Sequence, residues 1–254
     1  MRELFRYRDL IGALVARDLK VRYRRSAIGF LWTMLHPLMM MLVLSFVFSH
    51  LFRFDVVNYP VYALSGIVFW NFFSQAITAS MNSLRGNAGL LTKLPVPKAV
   101  FPLATVLAGL VNLACAVVPL VAIMIFTNHP LSASLVLLPF GMLIAACFTL
   151  GVGLLLSPLA AFFTDTVEMV GILLSLLMYL TPVFYPLSIV PDYLRWIVVL
   201  NPVRWVLEVF RLPIHAGVVP TGLEMVVAAA IALAALGIGA AVFRATSHRI
   251  ALYL

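Results

Sequence analysis

From Ala99 to Thr164 the chain carries no aspartate, glutamate, lysine or arginine. That one stretch excludes most folds. In a water-soluble domain about a quarter of residues are charged, whereas this chain of 254 residues is 10% charged and 64% hydrophobic. The stretch is also too long for a single crossing, because about 20 apolar residues span the hydrocarbon of a bilayer. The triplet Asn128-His129-Pro130 interrupts it, since a proline in a polar cluster marks a turn. Two spans result, at about 100–126 and about 133–160.

The same reading divides the rest of the chain. Ser26–Phe52 holds a first span, Val56–Leu84 a second, Val167–Pro186 a fifth and Leu223–Phe243 a sixth. Between the last two, PDYLRWIVVLNPVRWVLEVFRLP is apolar enough for a seventh, but it carries Arg195, Arg204, Glu208 and Arg211. Each charge at mid-bilayer costs about 2.5–3.5 kcal/mol, and Asn201-Pro202 breaks any helix through the middle. The segment 187–222 therefore reads as external, with two short helices that are re-entrant or interfacial. Arg204 and Glu208 stand four apart, the spacing of a pair on one helix face.

Charge placement orients these spans. The net charge is +8, and eight of the 17 basic residues precede Ser26. Arg85, Lys93, Lys98, Arg244 and Arg249 fall on the same side, leaving Arg53, Arg195, Arg204 and Arg211 on the other. Such a bias puts both termini in the cytoplasm. Basic residues beside apolar spans meet anionic membrane lipids rather than nucleic acid. No cleavable leader is expected, because the apolar run from Ile28 is too long for one. The expectation is one all-α membrane domain over residues 1–254. It has six transmembrane helices, an N-terminal amphipathic interface helix and the two short helices before the last span.

Two cytoplasmic pieces follow. In residues 1–25, Leu10, Leu14 and Val21 recur at helical spacing, while Arg8, Arg17, Lys20, Arg24 and Arg25 lie mostly off that stripe. Such a helix rests in the membrane interface, as a topology anchor or as a docking surface. The loop 85–98 has an apolar centre, Leu90 and Leu91, and then two prolines that stop a helix. Taken alone, it fits a plain basic loop as well as a contact site.

Catalytic constellations are missing from the sequence. His36, His50, His129, His215 and His248 show no metal-ligand spacing, and no G-x-x-x-x-G-K-[ST] loop exists to cradle a phosphate. ATP would have to be bound by another chain, and no cofactor is expected in this one. Cys115 and Cys147 sit in apolar runs and read as small packing residues. The spans also lack the ionisable groups of a proton relay. They do carry rings. Tyr59, Tyr62, Phe69 and Phe73 share one side of span two with Trp70 alongside, and span five ends in Tyr179, Phe184 and Tyr185. These rings suit an interfacial belt with lipid-facing packing, or a ring-lined path along which sugars stack and slide.

Three blocks carry a specific resemblance: RDLKVRYRRSAIGFLWTMLHPLMMMLVLSFVFS at 17–49, NSLRGNAGLLTKLPVPKAVFPL at 82–103, and YLTPVFYPLSIVPDYLRWIVVLNPVRWVLEVFR at 179–211. In order and spacing they resemble the membrane permeases of ABC exporters for O-antigen, capsule and teichoic acid. The resemblance implies a six-helix half-transporter that exports a lipid-linked polysaccharide across the inner membrane. It works as a homodimer with two copies of a separate ATPase, which holds the ATP and magnesium. By match of motif, contact with that ATPase falls on Arg17, Asp18 and Lys20, and on Leu90, Leu91, Lys93 and Pro95. The external helices, with Arg195, Arg204 and Glu208, correspond to the family's external gate. The chain departs from the pattern at His36, where relatives often have asparagine, and at Thr164, where they often have arginine. A multidrug or lipid exporter is the rival within transport. A membrane-embedded lipid-modifying enzyme is the rival outside it, and would need an acid, base or metal set that the sequence does not show.

Overall fold

Asparagine and proline decide where this chain turns. The computed structural model describes residues 7–23, 31–50, 58–91 and 96–250, and every regular element among them is helical. They are α1 (Arg8–Tyr23), α2 (Leu31–His50), α3 (Tyr59–Gly86), α4 (Ala88–Leu91), α5 (Val100–Phe126), α6 (Leu138–Phe162), α7 (Thr166–Leu180), α8 (Asp192–Leu200), α9 (Pro202–His215) and α10 (Gly222–Ile250). Short 3-10 turns at Ala133–Leu137 and Leu187–Ile189 complete the set. Asn58 and Asn128 take left-handed backbone, with φ of 54° and 51°, a conformation asparagine tolerates better than most residues. Asn58 also donates from Nδ2 to Thr127 Oγ1 at 3.0 Å, which ties the start of α3 to the end of α5. Asn201 caps α9 by accepting from the Val203 N–H at 2.9 Å, and Pro202 opens that helix.

Contacts between helix termini sort the bundle into two ends. At one end the start of α3 meets the close of α5, and Ser134 Oγ at the start of α6 donates to the Pro213 carbonyl at 3.0 Å. At the other, Arg85 reaches the Ala161 carbonyl at 3.3 Å, and Lys98 bonds the Ser247 carbonyl. Helices α3, α5, α6, α7 and α10 thus alternate in direction, and α1 shares an end with the close of α10.

Among the described residues, three helical stretches are long and apolar enough to cross a membrane: Val100–Phe126, Ala133–Phe162 and Gly222–Arg249. They fall on the expected third, fourth and sixth spans. The expected fifth differs, because its helix closes at Leu180 and not at Pro186. Its 15 residues reach about 22 Å at 1.5 Å each, less than the roughly 30 Å of hydrocarbon. The remainder, Thr181–Pro186, runs as irregular chain across α3. α3 has ample length at 28 residues but carries a polar row on its open side.

Two cores hold the helices together. The larger fills the space among α3, α6, α9 and α10, with Phe69 stacked on Phe73 and tilted against Phe210, and Phe73 stacked on Phe148 at 5.5 Å. The smaller joins Leu14 of α1 to Leu84, Val100, Phe101, Leu154 and Phe243. α1 is therefore packed against protein and does not simply rest at an interface. Leu10 and Leu14 face this core, but Val21 is 66% exposed, so the expected stripe ends before it. The closest helix pair is α6 with α10. A Cβ on Gly239 would overlap the Gly151 carbonyl, and one on Gly151 would overlap the backbone of Ala235 and Leu236. Small residues let helix backbones approach to this degree.

Candidate functional site

The end that carries α1 brings the two expected contact pieces together. Arg17 Nη1 donates to Asn87 Oδ1 at 2.7 Å, while its Nε and Nη2 hold Asp18 at 3.1 and 2.9 Å. Asn87 closes α3, anchors its own Nδ2 on the Ser83 carbonyl at 2.8 Å, and offers its carbonyl to Leu90 and Leu91 as α4 begins. A single arginine thus joins the N-terminal helix to the root of the short helix in the next loop. Lys20 points to solvent. The two leucines part company: Leu90 is 37% exposed at the tip, whereas Leu91 packs on the smaller core. Burial lowers the pKa of Lys98, at the far side of this loop, below the usual lysine value. Lys93 and Pro95 lie outside the described residues, as do Arg24, Arg25 and Arg53.

At the opposite end the aromatic residues of α3 are packed against protein. Tyr59, Tyr62, Phe69, Trp70 and Phe73 are all 8% exposed or less. The 182–185 segment and α9 cover Tyr59, Tyr62 and Phe69, Phe148 of α6 covers Phe73, and Trp70 borders a cavity towards α7. Tyr62 donates to the Tyr185 and Pro182 carbonyls at 2.8 and 3.2 Å, and Tyr59 to the Phe184 carbonyl at 2.9 Å. Arg211 completes the clamp. Its Nη1 and Nη2 donate to the Pro182 and Val183 carbonyls at 2.7 and 3.0 Å, with the guanidinium 4.1 Å from the Tyr62 ring centre. Gly66 makes room beneath it, since a Cβ there would stand 2.6 Å from the Val183 carbonyl oxygen. Asn201 Nδ2 adds a bond to Thr181 Oγ1 at 2.8 Å.

The remaining rings and charges separate. Tyr179 is 66% exposed, Phe184 and Tyr185 are half-buried, and Tyr185 donates back to the Tyr179 carbonyl at 2.8 Å. Arg204 and Glu208 pair at 3.0 Å with little exposure, while Arg195 pairs loosely with Asp192 at 3.8 Å on the open surface of α8. The three expected gate residues therefore do not converge. α9 is sunk among the other helices, and α8 lies outside with Tyr193 and Trp196 exposed.

The family model for ABC-2 type transporters matches residues 9–214, from α1 to the end of α9. This chain belongs to the ABC-2 type transporter family. Similar proteins include the O-antigen export system permease protein RfbA of Myxococcus xanthus, 36% identical over 194 residues, or 76% of this chain and 74% of that protein. RfbA of Klebsiella pneumoniae is 31% identical over 198 residues, 76% of this chain and 75% of that one. The polysialic acid transport protein KpsM of Escherichia coli is 26% identical over 251 residues, 92% of each. In this ABC-2 type chain the residues that sequence reasoning passed over are Asn87, Gly66, Thr181 and Arg211. Arg211 had a readable signal. It is a cation in an apolar helix, and such a residue persists only with partners for its donors.

Proposed function

We propose that the chain is the permease of an exporter of lipid-linked polysaccharide, driven by ATP hydrolysis in a separate subunit. The observation that carries this reading is a match to O-antigen and polysialic acid permeases that runs along most of the chain. These relatives favour a glycan over a drug or a free lipid. Two copies with two ATPases form the working unit, with six spans per copy, α1 and the 85–98 loop in the cytoplasm, and 187–222 outside. The Arg17–Asn87 bond supports a shared role for the two cytoplasmic pieces, because a push on α4 reaches α1 through it.

Leu90 tests the coupling assignment. Burying a leucine stabilises a contact by about 1.5–3 kcal/mol, so Leu90→Asp is expected to weaken ATPase binding about tenfold or more. Membrane insertion should stay normal, as measured by copurification per inserted permease. Leu91→Asp should instead lower the amount of permease, because that side chain packs inward. Equal ATPase capture by wild type and Leu90→Asp would remove Leu90 from the interface.

Topology has its own test. Single cysteines at Asp192 and Thr221, in a chain lacking Cys115 and Cys147, are expected to label with an impermeant thiol reagent from outside intact cells. Labelling of only one of the two would put a crossing between them.

A further inference from the structure

The open face of α3 differs in composition from those of its neighbours. The exposed positions on the other long helices include large apolar residues, such as Val118 on α5, Leu143 on α6, Leu173 on α7 and Leu233 on α10. Over the last four turns of α3, the open or half-open residues include Asn71, Ser74, Gln75, Thr78 and Asn82, and the largest apolar group among them is the methyl of Ala79. Asn71, Gln75, Thr78 and Asn82 recur at four, three and four residues, so they form one row. The row is about 16 Å long at 1.5 Å per residue, roughly half the hydrocarbon thickness.

Cavities flank the row on both sides. One, of 880 Å³, lies towards α1, α2 and α5, with Arg17 and Asp18 on its lining and Asn112 opposite. The other, of 600 Å³, lies towards Gly171 and Ser175 of α7. Gln75 and Ala79 line both. Polar side chains do glue membrane helices together, but through small residues packed without gaps. Here there is room for a ligand, as ligand pockets run to roughly 300–1,000 Å³. Ser74 and Thr78 donate to carbonyls of their own helix at 2.9 and 3.0 Å, and so does the Asn82 amide at 3.0 Å. Those bonds use donors and leave oxygen lone pairs turned outward as acceptors.

We propose that this row is the cytoplasm-facing track of the path, and that its hydroxyl and amide oxygens receive the hydroxyl groups of the passing glycan. The proposal rests on the export reading above, which supplies the cargo and places the Asn82 end at the cytoplasm. A sugar chain carries a hydroxyl donor on most ring carbons. A ladder of weak, neutral acceptors lets it exchange one bond for the next, and the charges on the lining, Arg17 and Asp18, are paired with each other. The track ends at mid-membrane, because α3 is closed over from Val61 to Ile67 by its own protein.

Two measurements on the assembled permease–ATPase complex test this. Gln75→Cys, Thr78→Cys and Asn82→Cys, made singly in a chain lacking Cys115 and Cys147, are expected to react with a charged thiol reagent applied from the cytoplasmic side. Their rates should exceed those of Leu173→Cys and Leu233→Cys at least tenfold. The double variant Gln75→Leu/Thr78→Val is expected to cut glycan export per assembled complex at least tenfold, and Gln75→Asn/Thr78→Ser less than threefold. Row cysteines that react no faster than those at the exposed apolar positions 173 and 233 overturn the track. So does full export by the Leu/Val variant, or a loss of dimer in that variant that accounts for its loss of export. No glycan export by the unmodified complex, with the row still reactive, overturns the export reading and the cargo with it.

Discussion

Replacing Gly239 with alanine is expected to cost the protein most of its folded membrane domain, while the same replacement two residues earlier, at Gly237, is neutral or slightly stabilising. At Gly239 the new Cβ overlaps the Gly151 carbonyl, and at Gly237 it meets nothing within 4 Å. The obstruction is backbone, so no rotamer change relieves it, and α6 and α10 must part. Overpacking costs about 1–3 kcal/mol where side chains can yield, and more where they cannot. A gap of about 1 Å forfeits a quarter to a half of each contact along the seam. Gly237 gains only the helix preference of alanine over glycine, about 0.8–1 kcal/mol. Gly151→Ala should match Gly239→Ala. Monodisperse yield and the unfolding midpoint in mild detergent give the comparison, and similar values for Gly239→Ala and Gly237→Ala would refute the close approach.

Arg211→Met is expected to be the most damaging change at the opposite end. It removes two charge-assisted bonds, each worth about 1.5–3 kcal/mol, and Met restores the volume without the donors. The two carbonyls fare differently. Pro182 keeps the Tyr62 hydroxyl, while Val183 loses the Arg211 bond that holds it in a buried place. A drop of roughly 10 °C or more in the unfolding midpoint is expected for a chain of this size. Arg211→Lys should recover only part of it, because a lysine is a point donor and does not reproduce the planar fork across two carbonyls. Full stability of Arg211→Lys would mean that charge alone, and not the fork, holds the segment.

What the sequence disclosed and what it withheld divide along a physical line. The α5–α6 pair was legible because charge absence is a one-dimensional signal and Asn128-His129-Pro130 is a local break. The Arg204–Glu208 pair was legible because it lies within one helix. The rings of α3 were correctly placed on one side of a helix, yet periodicity tells which residues share a face and is silent on what that face meets. Here it meets α9, which arrives from more than a hundred residues away. Arg211 could be read only as a liability, since its acceptors are carbonyls set free when α7 ends at Leu180. The polar row of α3 is not legible in one dimension, because it holds no ionisable group and each amide or hydroxyl is ordinary on its own.

The fastening of α7 has a mechanical consequence. Beyond its last turn, the carbonyls of Pro182, Val183, Phe184 and Tyr185 are all held by Tyr59, Tyr62 or Arg211, and Thr181 is held by Asn201. Along its length only Val170 and Leu174 are buried, and at its start Thr166 has a long 3.4 Å bond to the Leu159 carbonyl next door. The helix is a cantilever, clamped at Thr181 and lightly supported everywhere else. With a length of about 22 Å, a tilt of about 10° at the clamp carries the Thr166 end some 4 Å sideways and leaves the clamped end in place. Any widening between α7 and α3 therefore starts beside Asn82 and reaches Trp70 last.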